Sequence, residues 1–494
     1  MTVMRRLQHL IGGGWTKGRN PAPEAVRTVN RVWDGEKIAE YIDADRAEME
    51  QALQKAKECQ VLARKMPTSC RIQLLQRMSA LILDRREELA LAICDEAGKP
   101  IVLSRAEVER AAATFLIAAD ETVRWSEEEI SIESPALPAG PSRATMRRWP
   151  RGPVLAITPF NFPLNLVAHK VAPALAIGAP MVLKPPPQTP TASAILGEIF
   201  LEAAHEIDSS AQMLPRALLQ IVFADPEVVA VAVEDKRIAV LSFTGSDTVG
   251  WMLRDRAKQK KVLLELGGNA AVVIDEDANF EKAAAKCAFG AFSYAGQLCI
   301  SIQRIYVHHN VYKKFQRMLL EEIQRLKVGD PRDEKVLVGP LIDERAFSRL
   351  SEWIEEAKQG GAKILYGEGR TDRCLLPTLL TDVPGSCRLM REEAFGPVAT
   401  LESVDSFETA LRRVNDSPFG LQAGIFTQNE AHVQLAAETL EVGGIIVNES
   451  PTFRSDRMPY GGMKNSGLGR EGVLYAMKEM SETTVLVRAS EISA

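Results

Sequence analysis

Apolar residues recur at helical spacing through the N-terminal part of the chain. They return at i, i+3, i+4 and i+7 in three segments that are predicted to be helices: 46–66, 69–99 and 104–125. Gly98, followed by Pro100, is expected to end the second helix, because glycine accepts the left-handed terminal conformation and proline cannot continue a helix. The first 130 residues are therefore predicted to be mainly helical.

From residue 150 onward, short continuous apolar runs alternate with segments of helical periodicity. The runs predicted to be strands are 152–159, 180–185, 218–225 and 237–245. The segments predicted to be the helices between and after them are 164–178, 190–207, 226–235 and 246–260. Continuous apolar strands separated by helices are typical of a parallel sheet with helices on both faces. We therefore predict an α/β fold that begins with a Rossmann-like, doubly wound sheet.

A second series of apolar runs begins near residue 263 and indicates a second α/β unit. Its predicted strands are 270–277, 303–310, 363–369, 398–404, 423–429 and 444–450. Two further segments, 143–152 and 481–490, alternate apolar and polar residues and lie outside both series. Isolated strands need a partner sheet, so we expect these two to pair with each other or with another subunit.

Composition and charge narrow the class of protein. Of the 494 residues, 46% are hydrophobic and 25% are charged, which is average for a globular protein. The formal net charge of −5 gives no electrostatic reason to expect nucleic acid or an anionic membrane as a partner, and no apolar stretch has the length of a transmembrane helix. Seven cysteines without a C-x-x-C pair argue against a disulfide framework and against a metal site. We therefore expect a cytoplasmic protein.

The segment GLGREG at 467–472 matches the pattern G-x-G-x-x-G. A dinucleotide-binding fingerprint of this form should follow a strand and open a βαβ unit. Here it follows the glycine-rich PYGGMKNSG, and too little chain remains for such a unit. We interpret the segment as a glycine-rich turn, so a dinucleotide would have to bind without this fingerprint.

Three side chains are candidates for chemistry. Asn161 follows the first buried strand, where its amide could donate to an oxyanion or, equally well, cap a helix. Glu265 ends an apolar run, which suits a general base of raised pKa, although a solvent-facing strand end is the alternative. Cys299, in SYAGQLCISIQR, lies among Gly, Ser and Gln and is a candidate nucleophile, although a lone cysteine is usually a small core residue. Gly245 and Ser246 open a predicted helix, where backbone N–H groups could hold a phosphate.

The order and spacing of these motifs resemble the aldehyde dehydrogenase superfamily over nearly the whole chain. The motifs, in family order, are TPFNFPLN, VLKPPPQTP, FTGSDTVG, LELGGNA, GQLCISIQR, REEAFGPV, GGIIVN and PYGGMKNSGLGREG. The resemblance implies that Cys299 attacks an aldehyde as a thiolate, that the Asn161 amide and the Cys299 N–H stabilise the oxyanion, and that Glu265 activates water to hydrolyse the thioester. It also implies NAD or NADP as the cofactor.

By the same resemblance, ten residues are expected to contact the cofactor. They are Ile157, Thr158, Pro159, Phe160, Lys184, Gly245, Ser246, Leu266, Glu393 and Phe395. Pro187 departs from the family, because members that prefer NAD often carry an acidic residue three positions after the lysine, where it bonds the ribose 2′-hydroxyl. The absence of that carboxylate, with Lys184 nearby, predicts at least detectable use of NADP.

Six residues are expected to line the substrate funnel. They are Phe162, Asn165, His169, Leu298, Ile300 and Arg454. The polar side chains among them imply a small, polar aldehyde, and an anionic one is left open. The loop SPTFRSDRMPYGG, which carries Arg454, resembles the lactaldehyde and phosphonoacetaldehyde dehydrogenase branches, and the whole chain is assigned to a lactaldehyde or semialdehyde dehydrogenase-like branch. Leu298 stands where members acting on phosphorylated aldehydes often have arginine, which favours hydroxyaldehydes or semialdehydes. Two alternatives stay open: His169 hydrogen-bonded away from the substrate, and Arg454 as a surface charge.

The resemblance also implies a division of the chain and two rival functions. The expected parts are a cofactor-binding domain at 1–127 and 151–263, a catalytic domain at 264–470, and oligomerisation strands at 130–150 and 478–494 that would join a homodimer or homotetramer. A CoA-acylating dehydrogenase would use the same cysteine but commonly lacks the glutamate base. A non-catalytic relative would be expected to have lost Cys299, Glu265 or Asn161. All three are present, which favours oxidation with hydrolysis.

Overall fold

The computed structural model describes residues 4–20, 22–125, 127–136 and 141–488. In the first half of the chain, the helices are α1 (Arg46–Lys65), α2 (Thr68–Asp84), α3 (Arg86–Ala97), α4 (Ile101–Arg124), α5 (Asn165–Ile177), α6 (Thr191–Ile207), α7 (Pro226–Glu234) and α8 (Asp247–Arg256). The strands are β1 (Arg5–Arg6), β2 (His9–Ile11), β3 (Gly14–Thr16), β4 (Val26–Asn30), β5 (Lys37–Ile42), β6 (Glu128–Ser131), β7 (Arg143–Pro150), β8 (Val154–Ile157), β9 (Met181–Lys184), β10 (Leu219–Ile221), β11 (Val240–Thr244) and β12 (Lys261–Glu265).

The second half continues this alternation. Its helices are α9 (Phe280–Phe292), α10 (Tyr312–Gln324), α11 (Glu344–Gln359), α12 (Arg388–Arg391), α13 (Phe407–Asn415), α14 (Glu430–Thr439) and α15 (Val473–Glu479). Its strands are β13 (Ala270–Ile274), β14 (Ile302–His308), β15 (Lys363–Tyr366), β16 (Arg370–Thr371), β17 (Cys374–Leu375), β18 (Thr378–Thr381), β19 (Val398–Val404), β20 (Phe419–Gly420), β21 (Gln422–Phe426), β22 (Gly444–Val447), β23 (Met463–Lys464), β24 (Gly467–Leu468) and β25 (Ser481–Val487).

The first sheet has the order β24-β12-β11-β8-β9-β10-β2-β3 among the described residues. Strands β10, β9, β8, β11 and β12 run parallel, which confirms the predicted α/β fold. The strand order reverses between β8 and β11. In a doubly wound sheet this switch point, at the carboxyl ends of the strands, is where ligands bind. The loops after β8 and β11 are therefore the expected place for a site.

The central strand β8 is apolar at every position because helices cover both faces of the sheet. Val154 and Ala156 of β8 pack into the core that includes α2, α5 and α6. Leu155 and Ile157 pack into the opposite core, with α1 and α7. Successive side chains of a strand point to opposite faces, so a strand buried on both sides has no polar alternation.

The second sheet has the order β15-β18-β19-β14-β13-β21-β22 among the described residues. All of its neighbours run parallel except β15 and β18. The sequence analysis did not predict β18. Since β12 ends at Glu265 and β13 begins at Ala270, the carboxyl edge of the first sheet leads directly into the amino edge of the second. Cys299, just before β14, lies at this same amino edge.

A third sheet, β25-β7-β6, contains the two strands predicted outside both series. They pair with each other, antiparallel, from Ser481↔Pro150 to Val487↔Ala144. Strand β6 pairs on the other side of β7 and was not predicted. Residues 137–140 and 489–494 of the predicted oligomerisation strands lie outside the described residues.

Three predictions about elements need correction. The helix predicted over 69–99 is two helices, α2 and α3, because the backbone leaves the helical region at Arg85 (φ −101°, ψ 25°); Gly98 ends α3 with a φ of 65°, as predicted. The described residues before Arg46 form the short strands β1 to β5 and one 3-10 turn, Pro23–Ala25, rather than α-helix. Gly467–Leu468, placed by sequence in the 264–470 unit, pairs antiparallel with β12 and belongs to the first sheet. The GLGREG segment thus forms an edge strand and a turn.

Within the described part of the chain, every helix is too short or too polar to cross a membrane.

Candidate active site

The loop after β8 carries Asn161 at the switch point of the first sheet. The Asn161 side chain is buried, and its Nδ2 donates to the carbonyl oxygen of Gln297 at 2.9 Å. An amide nitrogen carries two hydrogens, so one remains for an oxygen in the cavity that Asn161 lines. Helix α5 begins at Asn165 with Leu164 as its N-cap, so Asn161 does not cap the helix.

A buried ion pair anchors this loop from behind. Lys99 Nζ lies 2.6 Å from Glu107 Oε2 and donates to the carbonyl oxygen of Asn161 at 3.3 Å. Glu107 Oε1 accepts from the backbone N–H groups of Leu164 and Asn165 at 2.9 and 3.0 Å. Charge-assisted hydrogen bonds of this kind are stronger than neutral ones. The position of the Asn161 amide is therefore fixed by α3–α4 as well as by its own loop.

Cys299 follows a turn of unusual backbone conformation. Tyr294, Ala295 and Gly296 have φ angles of 53°, 51° and 64°. Non-glycine residues are strained in this region and persist there only where the surroundings impose it. On the other side of Cys299, a side chain at Gly268 would lie 2.5 Å from the Cys299 carbonyl oxygen, so only glycine fits. The thiol is thus placed by a tightly constrained segment.

Cys299 is the one cysteine in the described chain that is not buried. Its Sγ lies 3.1 Å from the hydroxyl oxygen of Tyr460. The thiol faces a cavity but is enclosed by protein on its other sides, and this loss of hydration raises the pKa of Cys299 to about 12, against the lowering effect of the Tyr460 hydrogen bond. Since the thiolate is the reactive form, the site needs contacts that favour negative charge on sulfur.

Glu265 is the last residue of β12 and lines the same cavity as Cys299. Its side chain is almost completely buried, so it is not a solvent-facing strand end. Burial, followed by repulsion from Glu471, raises the pKa of Glu265 well above its ordinary value. Its Oε2 has no hydrogen-bond partner among the described residues. A raised pKa makes the ionised carboxylate a stronger base, which can take a proton from water.

A buried charge network lies behind Glu265. Glu471 Oε1 lies 2.8 Å from Lys170 Nζ, and Glu471 Oε2 lies 3.2 Å from the Arg454 guanidinium. Burial opposes ionisation of Glu471, but the two cations outweigh it and lower the pKa of Glu471. Glu471 therefore carries the negative charge that keeps Glu265 a weaker acid.

A groove runs along the carboxyl edge of the first sheet. Its outer part, about 800 Å³, lies over the ends of β8, β9 and β11. Its inner part, about 660 Å³, contains Cys299, Glu265 and Asn161. All ten residues expected to contact the cofactor line one or both parts. The residues shared by the two parts are Pro159, Phe160, Thr244 and Gly245.

This groove fits a dinucleotide. The hydroxyl oxygens of Thr158 and Thr244, which line it, are buried without a hydrogen-bond partner among the described residues. Ser246 is the N-cap of α8, and a helix N-terminus favours a phosphate. A groove with unpaired polar atoms and a helix N-terminus at mid-length suits an elongated, phosphate-containing ligand.

The outer end of the groove is mainly cationic. Its charged lining residues are Arg46, Lys184 and Arg256 on the positive side and Glu227 on the negative side. Burial lowers the pKa of Lys184 to about 8. Pro187 also lines this end.

At the inner end, Glu393 Oε1 accepts from the Gly268 N–H at 2.9 Å, and burial raises the pKa of Glu393 to about 8. Phe395 packs edge-on against Phe160, with ring centres 5.8 Å apart. The two residues thus form part of the wall opposite the loop after β8.

A small cavity of about 60 Å³ lies on the other side of Cys299. Two guanidinium groups, of Arg110 and Arg454, face it. Its volume restricts it to short side chains of a substrate, and its charge favours an anion. The lining residues are Arg110, Phe162, Asn165, Leu166, Leu298, Cys299, Ile300, Thr452, Arg454 and Tyr460, which include five of the six residues expected to line the funnel.

His169, the sixth, lies behind the wall of this cavity. Its side chain is completely buried, and its Nε2 lies 2.9 Å from Asp456 Oδ1. Burial lowers the pKa of His169, so it is neutral and donates through Nε2. Asp456 in turn pairs with Arg110 at 2.6 Å. His169 therefore reaches the cavity through Asp456 and Arg110, in line with the alternative left open by the sequence.

A comparison with protein families identifies the family of the chain. The model of the aldehyde dehydrogenase family matches residues 15–486. The chain belongs to the aldehyde dehydrogenase family.

Several members of the aldehyde dehydrogenase family are similar over their full length. The 3-sulfolactaldehyde dehydrogenase of Priestia aryabhattai is 39% identical over 489 residues, 99% of each chain. The crystal structure of aldehyde dehydrogenase 21 from Physcomitrella patens, in complex with the reaction product succinate, has a TM-score of 0.93 at 36% identity and covers 100% of both chains. The glyceraldehyde-3-phosphate dehydrogenase GapN of Methanocaldococcus jannaschii, complexed with NADP, has a TM-score of 0.89 at 35% identity, covering 94% of this chain and 99% of that one.

Sequence reasoning missed several residues of this aldehyde dehydrogenase site. They are Lys99, Glu107, Arg110, Lys170, Asp456, Tyr460 and Glu471. Lys170 left a usable signal, because a lysine in the otherwise apolar helix LNLVAHKVAPALAIG needs a buried counter-charge. Glu471 lies within the GLGREG segment, which was interpreted only through the spacing of its glycines. For Arg110, on an ordinary amphipathic helix, no signal was available.

Proposed function

We propose that this protein oxidises a small, negatively charged aldehyde to its carboxylic acid, with NAD or NADP, through a thioester on Cys299. Several similar proteins are named for the oxidation of small polar aldehydes, namely 3-sulfolactaldehyde, sulfoacetaldehyde and lactaldehyde dehydrogenases. The observation that supports the assignment of residues is the convergence of Cys299, Glu265 and Asn161 on one cavity at the end of a groove that fits a dinucleotide.

The geometry suggests the part of each residue. Cys299 Sγ attacks the aldehyde carbon, and the remaining Nδ2 hydrogen of Asn161 stabilises the oxyanion that forms. NAD or NADP, when bound along the groove, supplies the hydride acceptor. The acyl group then stays on Cys299 as a thioester. Glu265 takes a proton from a water molecule, which attacks the thioester and releases the carboxylic acid.

Two rival functions are less well supported. A CoA-acylating enzyme would have little use for a buried base next to Cys299, and Glu265 is present there. A non-catalytic relative would not need to keep Cys299, Glu265 and Asn161 on one cavity. An absorbance assay for NAD(P)H with a panel of aldehydes, with and without CoA, distinguishes the three functions.

We expect NADP to be used at least detectably. The outer end of the groove has three cationic side chains against Glu227, and Pro187 cannot repel a 2′-phosphate. Comparing kcat/KM for the two cofactors tests this, and a preference for NAD above about 1000-fold, roughly 4 kcal/mol, would contradict it. The variant Pro187→Glu provides the complementary measurement: it is expected to lower kcat/KM for NADP by about tenfold or more relative to NAD, because like charges repel.

The anionic substrate is proposed from the small cavity. The Arg454 Nε is buried without a hydrogen-bond partner among the described residues, although a buried donor normally has one. Arg110 faces the same cavity and is held in place by Asp456. The names of similar proteins are consistent with an acidic substrate, since one is a 3-sulfolactaldehyde dehydrogenase and another was solved with succinate. Leu298 supplies no further cation, which favours sulfonates and carboxylates over phosphates.

Replacing Arg110 or Arg454 by glutamine is expected to impair acidic aldehydes selectively. Loss of one charge-assisted hydrogen bond should lower kcat/KM for succinate semialdehyde or sulfoacetaldehyde by about 10- to 100-fold relative to lactaldehyde. Arg454 also pairs with Glu471, so Arg454→Gln should lower all rates, and the ratio is the diagnostic quantity. Arg105→Gln, on the same helix as Arg110 but outside the cavity lining and paired with Glu87, is the matched control. Equal losses on acidic and neutral aldehydes would exclude anion recognition by these arginines.

We also infer a cytoplasmic homo-oligomer, either a dimer or a tetramer. All seven cysteines are free thiols, which suits a reducing compartment. Val485, Leu486 and Val487 of β25 are 50%, 41% and 48% exposed although successive side chains point to opposite faces. The described part of the chain therefore leaves both faces of this strand uncovered. A second copy of the chain is the natural partner for such a strand.

A further inference from the structure

The hydroxyl group of Tyr460 touches the reacting sulfur, and the mechanism above does not use it. The distance from the Tyr460 hydroxyl oxygen to Cys299 Sγ is 3.1 Å. Among the described residues, this is the one hydrogen bond that the hydroxyl forms. The ring is 3% exposed, and the backbone of Tyr460 is fixed by pairing in both directions with Glu471. The hydroxyl is therefore held against the sulfur by the structure around it.

We propose that Tyr460 is a further catalytic residue, whose hydroxyl donates a hydrogen bond to Cys299 Sγ and stabilises the thiolate. This proposal rests on the proposed function only in taking Cys299 as the nucleophile. In the neutral thiol, either group can donate. A thiolate has no hydrogen, so the Tyr460 O–H must then be the donor, and its hydrogen bond to a charged acceptor is stronger. The contact thus favours the ionised, reactive form of Cys299.

Arg454 makes this hydroxyl a better donor. The guanidinium carbon of Arg454 lies 3.8 Å from the centre of the Tyr460 ring. A cation over the face of the ring is attracted by its π electrons and withdraws electron density from the phenol. Glu265 and Glu393 disfavour the thiolate when they are ionised, and the Arg454 guanidinium favours it. Tyr460 is uncharged and stabilises the thiolate through a direct hydrogen bond.

The ring and the hydroxyl of Tyr460 are separable in function. The ring forms part of the wall of both the inner groove and the small cavity, and phenylalanine would fill the same space. Phenylalanine would leave Cys299 Sγ without its donor. The variant Tyr460→Phe therefore removes the proposed interaction and keeps the packing under Arg454.

The test measures the reactivity of Cys299 directly, in the full-length protein without aldehyde or cofactor. The rate constant for alkylation by iodoacetamide is recorded from about pH 6 to about pH 10, with mass spectrometry of the labelled peptide, since Cys299 is the partly exposed cysteine. In Tyr460→Phe, the pH–rate curve is expected to move to higher pH by about one to two units, the value of a hydrogen bond to a charged group. The rate near neutral pH should fall by about tenfold, because the more basic thiolate is intrinsically a better nucleophile and offsets part of the shift.

Tyr306→Phe is the matched control. Tyr306 is also a buried tyrosine next to an arginine, with Arg304 donating to its hydroxyl at 3.4 Å, but it lies on β14 in the second sheet. The pH–rate curve of Tyr306→Phe should coincide with that of the wild-type protein. A Tyr460→Phe rate that equals the wild-type rate at every pH would overturn the proposal, and so would an equal fall in rate in the Tyr306→Phe control. Because alkylation requires no turnover, failure of the proposed function and failure of this proposal are distinguishable.

Discussion

Replacing Cys299 by alanine is expected to abolish aldehyde-dependent formation of NAD(P)H, with a loss on the order of 10⁴-fold or more, because no atom is left to carry the acyl group. Asn161 and the groove stay intact in this variant, so the cofactor should still bind. The measurement is the steady-state rate with saturating acidic aldehyde, together with cofactor binding followed by fluorescence. Loss of both turnover and binding would indicate a folding defect and would require a milder substitution such as Cys299→Ser.

Cys287→Ala is the matched control for this experiment. Cys287 is completely buried in α9, within the core of the second sheet, and lines neither the groove nor the small cavity. Its replacement removes a sulfur atom from the core, which should lower the free energy of unfolding by about 1 kcal/mol while leaving turnover nearly unchanged. If Cys299→Ala kept more than about 1% of the activity, Cys299 would not be the nucleophile.

The scaffold of the site was predictable because burial on both faces leaves a clear pattern. Strand β8 is apolar at every position, since Val154 and Leu155 face different helical layers, and this pattern predicted a parallel sheet. The turn residues that place Asn161 and Cys299 were also visible as prolines and glycines. The family resemblance then supplied the roles that spacing alone had left open.

The contacts within the site were not predictable, because they join distant parts of the chain. Tyr460 meets Cys299 across 161 positions, and Lys170 meets Glu471 across 301. Periodicity reports which face of one element is apolar, but it does not report which charge of another element lies opposite. The break between α2 and α3 was missed for a related reason: Arg85 is polar and helix-compatible, and its ion pair with Glu198 of α6 is a tertiary contact.

His169 shows how far a helical spacing argument reaches. Its position at the seventh residue after Phe162 predicted that it shares a helical face with Phe162 and Asn165, which line the small cavity, whereas His169 does not. In the structure, His169 instead forms a hydrogen bond with Asp456, which lies in the loop before Tyr460. Asp456 also binds Arg110, so His169 helps to position Arg110 and does not contact the cavity itself. Helical spacing does not show this contact, because Asp456 is 287 positions away from His169 along the chain.

Replacing Glu265 by glutamine is expected to separate the two halves of the reaction. Attack by Cys299 and hydride loss do not require the carboxylate, so about one equivalent of NAD(P)H should form rapidly per active site. Hydrolysis of the thioester requires a base, and its rate should fall by about 10²- to 10⁴-fold. A burst followed by a slow steady state, measured by stopped-flow absorbance, is the expected result. Hydroxylamine, which cleaves thioesters without a base, should restore turnover and yield the hydroxamate.

The pH dependence of hydrolysis gives Glu265 a second signature. Only the ionised carboxylate accepts a proton, and burial together with the charge of Glu471 raises the pKa of Glu265. The steady-state rate should therefore be low in acid and rise as the pH increases through this raised pKa, and the rise should vanish in Glu265→Gln. Glu402→Gln is the matched control, because burial also raises the pKa of Glu402, to about 6, but this residue lies on β19 in the second sheet. A Glu265→Gln variant without a burst, whose first turnover is as slow as later ones, would mean that Glu265 acts before the thioester forms, as the base that activates Cys299.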